Sequence, residues 1–380
     1  KTPVIHVLDA SRSVTVVGAL LSDRKEDFVE ELLEEYEELR EEHYAGQEER
    51  YYLPLDKAIA KGLKIDFHES PPAPKPQRLG ETLCKDYALE EVLDFIDWNP
   101  FFQTWELRGR YPNRGYPKIF KDANVGEEAR KLFDDAQAML KDIVREKRLQ
   151  LTGIVGLYPA NRVGEDVEVS EPLARFCMLR QQAEKETEEP YLSQVDFIAP
   201  KASRGSGVAD YMGMFAVACM GCDDEVKRFE EENDDYSKIM VQALADRFVE
   251  AFAERIHADI RRDIWGYAPE EKVEGEDLFK LMYQGIRPAP GYPSQPDHTE
   301  KKTMWDLLQA RAKTGISLSE SLSMMPASSV SALVFAHPKS EYFAVGKIEK
   351  DQAESYAQRK GMDLETCEKW LSPTLNYDRD

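Results

Sequence analysis

Several side chains in this sequence are of types that hold a ligand rather than attack one. The most concentrated set lies in Gly285-Ile286-Arg287-Pro288-Ala289-Pro290-Gly291-Tyr292-Pro293. The prolines fix φ near its polyproline value, so the run is stiff and extended. Gly291 inside it marks a turn with φ > 0, or a close approach of something to the backbone. Arg287 offers a planar fork for a two-pronged bond with a carboxylate. Asp97 stands near the junction of two helical segments, and Asp246 and Glu250, four apart, share one flank of a long helix. Either Asp97 or Glu250 could receive an ammonium or another cation. The aromatic pair Tyr342-Phe343 favours a neighbouring positive centre and a stacked ring. An amino acid carrying a second positive charge and a purine would satisfy every member of this set. The proline-rich run equally suits a rigid surface connection leading into a helix, and spacing does not separate the two.

Other motifs carry less. Glu254-x-x-His257 is half of a carboxylate-bridged di-metal motif whose second half is missing, so it reads as a satisfied stretch of helix. Cys219-Met220-Gly221-Cys222 is a lone CxxC with no histidines near it, and zinc is rejected. It also ends a strand instead of opening a helix, which argues against redox chemistry. Asp66-Phe67-His68 starts like a cobalamin-ligating Asp-x-His-x-x-Gly loop, but Pro71 occupies the glycine position. Gly205-Ser206-Gly207 lacks the third glycine and the strand–helix setting of a phosphate loop. No Ser–His or Cys–His arrangement suggests a protein nucleophile, so no catalytic residue and no metal ligand is assigned.

The elements that must position the candidate residues can be read from hydrophobic period. Residues 3–9 read as a short buried strand and residues 14–21 as an apolar helix. Asp23 and Glu26 form a capping box for an acidic helix with Phe28, Leu32, Tyr36 and Leu39 on one face. Residues 70–76 are a polyproline spacer. Helices are expected at 88–96, from Phe101 onward, at 125–147 and at 236–265. Strands are expected at 154–158, 167–169, 196–199 and 212–218. Asp297 and Glu300 read as a second capping box, opening a helix with Met304, Trp305 and Leu308. Strands at 316–324, 330–335 and 342–348 follow, the last two joined as a hairpin through residues 337–340, and two helices close the chain. The expected class is α+β, a mainly antiparallel twisted sheet surrounded by helices with an N-terminal helical linker.

Composition excludes whole classes of function. The 380 residues carry a net charge of −22, which argues against a nucleic-acid backbone as partner. Residues 23–50 hold thirteen acidic against four basic side chains, a solvated amphipathic connector. No run of apolar residues is long enough to span a membrane. The five scattered cysteines suit a reducing cytosol, so a cytoplasmic location is expected. The start at Lys1, on the edge of an apolar strand, reads as a piece cut from a longer polypeptide.

Over nearly its whole length the sequence resembles the C-terminal activation domain of cobalamin-dependent methionine synthase, which binds S-adenosylmethionine. The resemblance rests on Pro3 to Ser13, Ile96-Asp97-Trp98, Asp235 to Arg247, Trp265-Gly266-Tyr267, Gly285 to Lys301, Tyr342 to Val345 and Leu375 to Asp378. It implies that Asp97 and Arg287 anchor the amino-acid end of S-adenosylmethionine. It further implies that Glu250, Tyr292, Tyr342 and Phe343 line the ligand, and that the backbone near Ala289 contacts the adenosine while Gly291 admits its approach. Phe343 stands where some relatives have tyrosine. Asp246 matches a residue that receives the cobalt-ligating histidine when it leaves the metal. Residues 1–22 resemble the last strand and helix of the cobalamin domain, 23–50 the linker behind it, and 51–380 the activation domain.

The implied chemistry is reductive methylation. An electron from flavodoxin or a flavoprotein methionine synthase reductase, with the methyl of S-adenosylmethionine, restores cobalamin that has drifted to the cob(II)alamin state. Cobalamin, homocysteine and zinc would be held upstream of Lys1. A second class of function stays open, a docking module for the flavoprotein and the cobalamin domain with no ligand of its own.

Overall fold

In the computed structural model, described for residue 5 and for residues 16–22, 25–48, 51–85, 87–170, 173–201, 207–273 and 275–379, the chain divides into two compact units. One comprises Lys1–Leu53 with Ala183–Glu188, the other Pro54–Gln182 with Glu189–Asp380. In the first, α1 (Lys25–Glu48) is the acidic helix expected from the sequence, with Phe28, Leu32 and Tyr36 half-buried along one face. The expected strand at 3–9, the Asp23 cap and the loop around Gly205 and Ser206 lie outside the described residues.

The second unit is built on an antiparallel sheet. Its strands are β1 (Gly80–Cys84), β2 (Gln150–Val163), β3 (Asp166–Val169), β4 (Ala174–Cys177) and β5 (Tyr211–Met220). A small hairpin, β6 (Ser317–Leu318) with β7 (Met324–Met325), stands apart, and β8 (Ser329–Val334) completes the main sheet. The order is β4-β3-β2-β5-β8, with β1 also on β2. At 14 residues, β2 is long enough to pair with β1, β3 and β5.

Strand periodicity explains why β2, β5 and β8 are apolar almost without interruption. Leu151, Val155, Phe215, Val217, Ala332 and Val334 face one core, and Ile154, Tyr158, Met214, Ala216 and Leu333 face another. Successive side chains point to opposite faces, and here both faces are covered. Helix α2 (Gly126–Glu146) and helix α3 (Asp235–Asp259) supply the first cover. Helix α4 (Glu300–Leu308) supplies the second through Met304, Trp305 and Leu308. Helix α3 is buried on most of its circumference, through Met240, Leu244, Phe248, Phe252 and Ile256, and runs on into a π-turn at Ile260–Ile264. Helices α5 (Lys350–Lys360) and α6 (Leu364–Trp370) close the unit around Tyr356 and Cys367.

Several local expectations are corrected. Residues 196–199 are not a strand; Gln194–Phe197 is a 3₁₀ turn, because the Asp196 carboxylate accepts the Ser193 N–H and the Arg180 and Arg162 guanidiniums. The 88–96 helix is likewise a 3₁₀ helix, Leu89–Phe95. Residues 316–324 fold back on themselves, Ser319 donating at the turn to Ser323 O at 2.9 Å. Residues 342–348 form no ladder strand. Val345 donates to O of Pro293, which has no N–H to return, and Ile348 makes one isolated parallel bridge, donating to Thr374 O and accepting from Asn376 N–H.

The Asp297–Glu300 capping box is also absent. Thr299 precedes α4 without a side-chain cap, and both carboxylates are buried against Lys360 and Tyr356.

Candidate functional site

The proline-rich run lies along the free edge of β8. Ile286 and Phe335 exchange backbone hydrogen bonds at 2.9 and 3.0 Å, and Leu333 donates to Pro288 O at 2.9 Å. The run therefore passes antiparallel to β8 and covers an edge that would otherwise stay unpaired. Its sequence explains its shape. Ala289 to Tyr292 is a turn closed by Tyr292 N–H to Ala289 O at 3.1 Å, with Pro290 at the second position and Gly291 at φ +100 at the third. That is the residue pattern of a type II turn. At the other end Gly285, at φ +87, passes so close to β8 that a Cβ would lie 2.7 Å from Phe335 O.

Helix α3 forms the opposite wall. Asp246, Glu250 and Glu254 succeed one another a turn apart, on one face. Asp246 accepts the Ser328 hydroxyl at 2.9 Å, just before β8 begins. Glu254 pairs with the Arg287 guanidinium, beside the far end of β8. Between these two contacts lies a groove of about 570 Å³. That volume suits a ligand of drug size, for which pockets run to roughly 300–1,000 Å³.

Of the residues expected from the sequence, Glu250, Arg287, Ala289, Tyr292, Tyr342 and Phe343 meet around this one groove. The Arg287 side chain is 14% exposed, and its backbone N–H donates to the Tyr342 hydroxyl at 2.9 Å. Burial works against the charge of Arg287, but Glu254 reinforces it, and the balance holds the guanidinium above its ordinary value. Gly291 lies behind the lining, where the neighbour that needs its missing Cβ is the His298 ring. Asp97 and Asp246 are outside the lining. The Asp97 carboxylate accepts from the backbone and side-chain amides of Asn99 at 2.9 and 2.8 Å, opening the short helix Asn99–Thr104.

Other contributors were not picked out from the sequence. His298 and Lys301 line the end of the groove away from Arg287, the Lys301 ammonium donating to His298 Nδ1 at 3.0 Å and to Leu322 O at 3.2 Å. Burial and the adjacent Lys301 charge hold His298 below the usual histidine range. The Ser331 hydroxyl on β8 is buried without a partner. Glu254, set aside as part of an incomplete metal motif, pairs with Arg287 from outside the lining. Its companion His257 is fully buried, and neither ring nitrogen has a hydrogen-bond partner among the described residues. No cluster among the described residues could hold a metal ion.

The CxxC stretch does open a helix, Cys222–Glu231, directly after β5, contrary to the sequence reading. Cys222 is buried, which pushes its thiol up to about 12, and Cys219 is raised by the same cause. Neither favours the reactive thiolate. No helix among the described residues is long and apolar enough to cross a membrane.

Residues 88–361 match the family described as vitamin B12 dependent methionine synthase, activation domain. Among solved structures, the chain is similar to the MetH reactivation domain crystallised with AdoHcy, at 46% identity. That match covers 86% of this chain and 99% of that one, with a TM-score of 0.81. The shared fold is the antiparallel α+β arrangement described above.

Proposed function

The chain belongs to the family of vitamin B12-dependent methionine synthase activation domains, and from that premise we propose that its groove binds S-adenosylmethionine for methyl transfer to reduced cobalamin. The observation that carries the proposal is the convergence of Arg287, Glu250, Ala289, Tyr292, Tyr342 and Phe343 on one groove. The relative crystallised with AdoHcy supports the choice of ligand.

In this reading Arg287 takes the ligand's α-carboxylate through a charge-assisted fork. The resemblance assigns the ammonium to Asp97. Because Glu250 lines the groove and Asp97 does not, we assign the ammonium to Glu250. Tyr292 and Tyr342, 64% and 42% exposed, offer ring faces at the mouth, and Phe343 adds an apolar wall without the hydroxyl found in some relatives. The backbone at Ala289 meets the adenosine, and Gly291 shapes the turn that presents it.

The chain's own part in the reaction is to bind, orient and exclude water. The sulfonium is already a good leaving group: its S–CH₃ bond breaks, the sulfur keeps the electron pair, and the methyl passes to the acceptor. Cobalamin, carried by a neighbouring domain, supplies the nucleophile. The contribution of the groove is positional, holding the methyl in line. Residues 1–22 are proposed as the end of the cobalamin domain, 23–50 as a linker and 51–380 as the activation domain. Asp246 is proposed to receive the displaced cobalt-ligating histidine. A flavodoxin-like protein or flavoprotein reductase supplies the electron, and the setting is the cytoplasm. A docking module without a ligand would account for acidic α1 but gives the Arg287 groove no purpose.

The test is transfer of label from methyl-labelled S-adenosylmethionine to cobalamin on its own protein domain, under reducing conditions. Label should reach cobalamin only when this chain is present. Transfer that proceeds equally without it would end the proposal.

A further inference from the structure

Glu254 does not line the groove, yet it is the carboxylate that meets Arg287. Its Oε1 accepts from Arg287 Nη2, while its buried Oε2 has no partner among the described residues. Arg287 Nε is buried and unpartnered too. Glu250, one turn back along α3, also acts on Arg287 through its charge, but Glu254 is the stronger influence and the one in contact. One turn along α3, His257 is 0% exposed, with the Tyr283 ring edge-on at 5.1 Å. Arg261 lies 4.0 Å over Tyr283 and is itself paired with Glu271. Of the two carboxylates whose charge Arg287 feels, then, Glu254 is the one that holds the guanidinium directly, and Glu250 lines the groove.

A guanidinium on a long side chain has many rotamers, and ordering it costs conformational entropy at each binding event. A carboxylate fixed on a buried helix removes that freedom beforehand. Glu254 can do this because α3 is packed on most sides, so its backbone is not free to follow the side chain. The backbone of Arg287 is fixed separately by Tyr342, and its neighbours Ile286 and Pro288 by β8. Held at both ends, the guanidinium keeps some of its N–H groups for Glu254 and leaves the others for the groove.

We propose that Glu254 is a positioning residue for ligand recognition: from behind the groove it holds Arg287 so that the free edge of the guanidinium faces the ligand's carboxylate. This rests on the proposed binding of S-adenosylmethionine-type ligands. It differs from a merely structural salt bridge in its selectivity. A structural role supports every ligand of the groove equally, whereas a positioning role is felt only by ligands that carry the carboxylate.

The test compares two ligands by calorimetry on the wild type and E254Q: AdoHcy, which has the amino-acid end, and 5′-methylthioadenosine, which lacks it. E254Q keeps an acceptor for Arg287 and removes the charge. Its affinity for AdoHcy should fall roughly tenfold while that for methylthioadenosine stays unchanged. Equal loss for both ligands, or AdoHcy binding that is unchanged or tighter, overturns the proposal. If E254Q unfolds, E254D, which keeps the charge on a shorter arm, should show the same selective loss, and a non-selective one again overturns it. A wild type that binds neither ligand would instead defeat the functional reading, and this inference with it.

Discussion

The Asp246 carboxylate accepts the Ser328 hydroxyl at 2.9 Å, tying the middle of α3 to the residue that leads into β8. Neither residue lines the groove, but Ser329, next in the chain, and Glu250, one turn along α3, both do. The contact gives Asp246 a defined partner in this structure, so any histidine that reaches Asp246 must share the carboxylate with Ser328 or displace it.

Replacing the buried Ser328 by alanine removes the donor and leaves the exposed Asp246 carboxylate with one bond fewer. The expected loss is about 1 kcal/mol of unfolding free energy, the ordinary net size for one hydrogen bond, since solvent at the exposed Asp246 weakens the charge-assisted part. Urea unfolding measures it. A variant as stable as the wild type would mean that the bond contributes nothing to holding the walls together.

Gly291→Ala should be much more damaging than its size suggests. The residue sits at φ +100, and an added Cβ would overlap the His298 ring. Left-handed backbone strain and the displaced ring together should cost about 1–3 kcal/mol. Thermal unfolding should fall accordingly, and affinity for S-adenosylmethionine should fall with it because His298 lines the groove. An unchanged melting temperature would contradict the geometry of the turn.

That turn shows what the sequence made legible. Pro290-Gly291 has local chemistry that specifies a type II turn, so the stiffness of the loop and the need for glycine there could be read directly. The long helix and most of β2, β5 and β8 were legible because their apolar periods are sustained. What closes on the loop was not. Glu254 belongs to a stretch that reads as ordinary helix once the incomplete metal motif is rejected, and only the packing of α3 against the loop reveals Arg287 as its partner. Asp297 and Glu300 have capping-box spacing, but Lys360 and Tyr356, far along the chain, take them into the core. Residues 342–348 alternate like a strand, yet Val345 faces Pro293, which cannot complete a ladder, and only Ile348 is bridged, to Leu375. In each case the deciding partner was distant in sequence.

Stability should depend on pH through Asp210. This carboxylate is 5% exposed and accepts the Ala199 and Tyr211 N–H groups at 2.8 and 2.7 Å. Burial outweighs those bonds and pushes it up to about 7. The folded state thus binds the proton more tightly than the unfolded chain, where the group titrates near pH 4. Its contribution is fully present below the unfolded value and is lost as pH rises through about 7. Relative to D210N, the wild type should lose stability between about pH 4 and pH 7 in urea unfolding series. A difference that does not change with pH would contradict the assignment.

The most direct measurement is calorimetric titration of S-adenosylmethionine into the wild type and Arg287→Ala. The wild type should bind. The variant should lose about 2–3 kcal/mol, roughly a hundredfold in affinity, because the ligand's carboxylate loses its charge-assisted partner. Equal affinity for the two proteins would contradict the claim that Arg287 is the anchor of this groove.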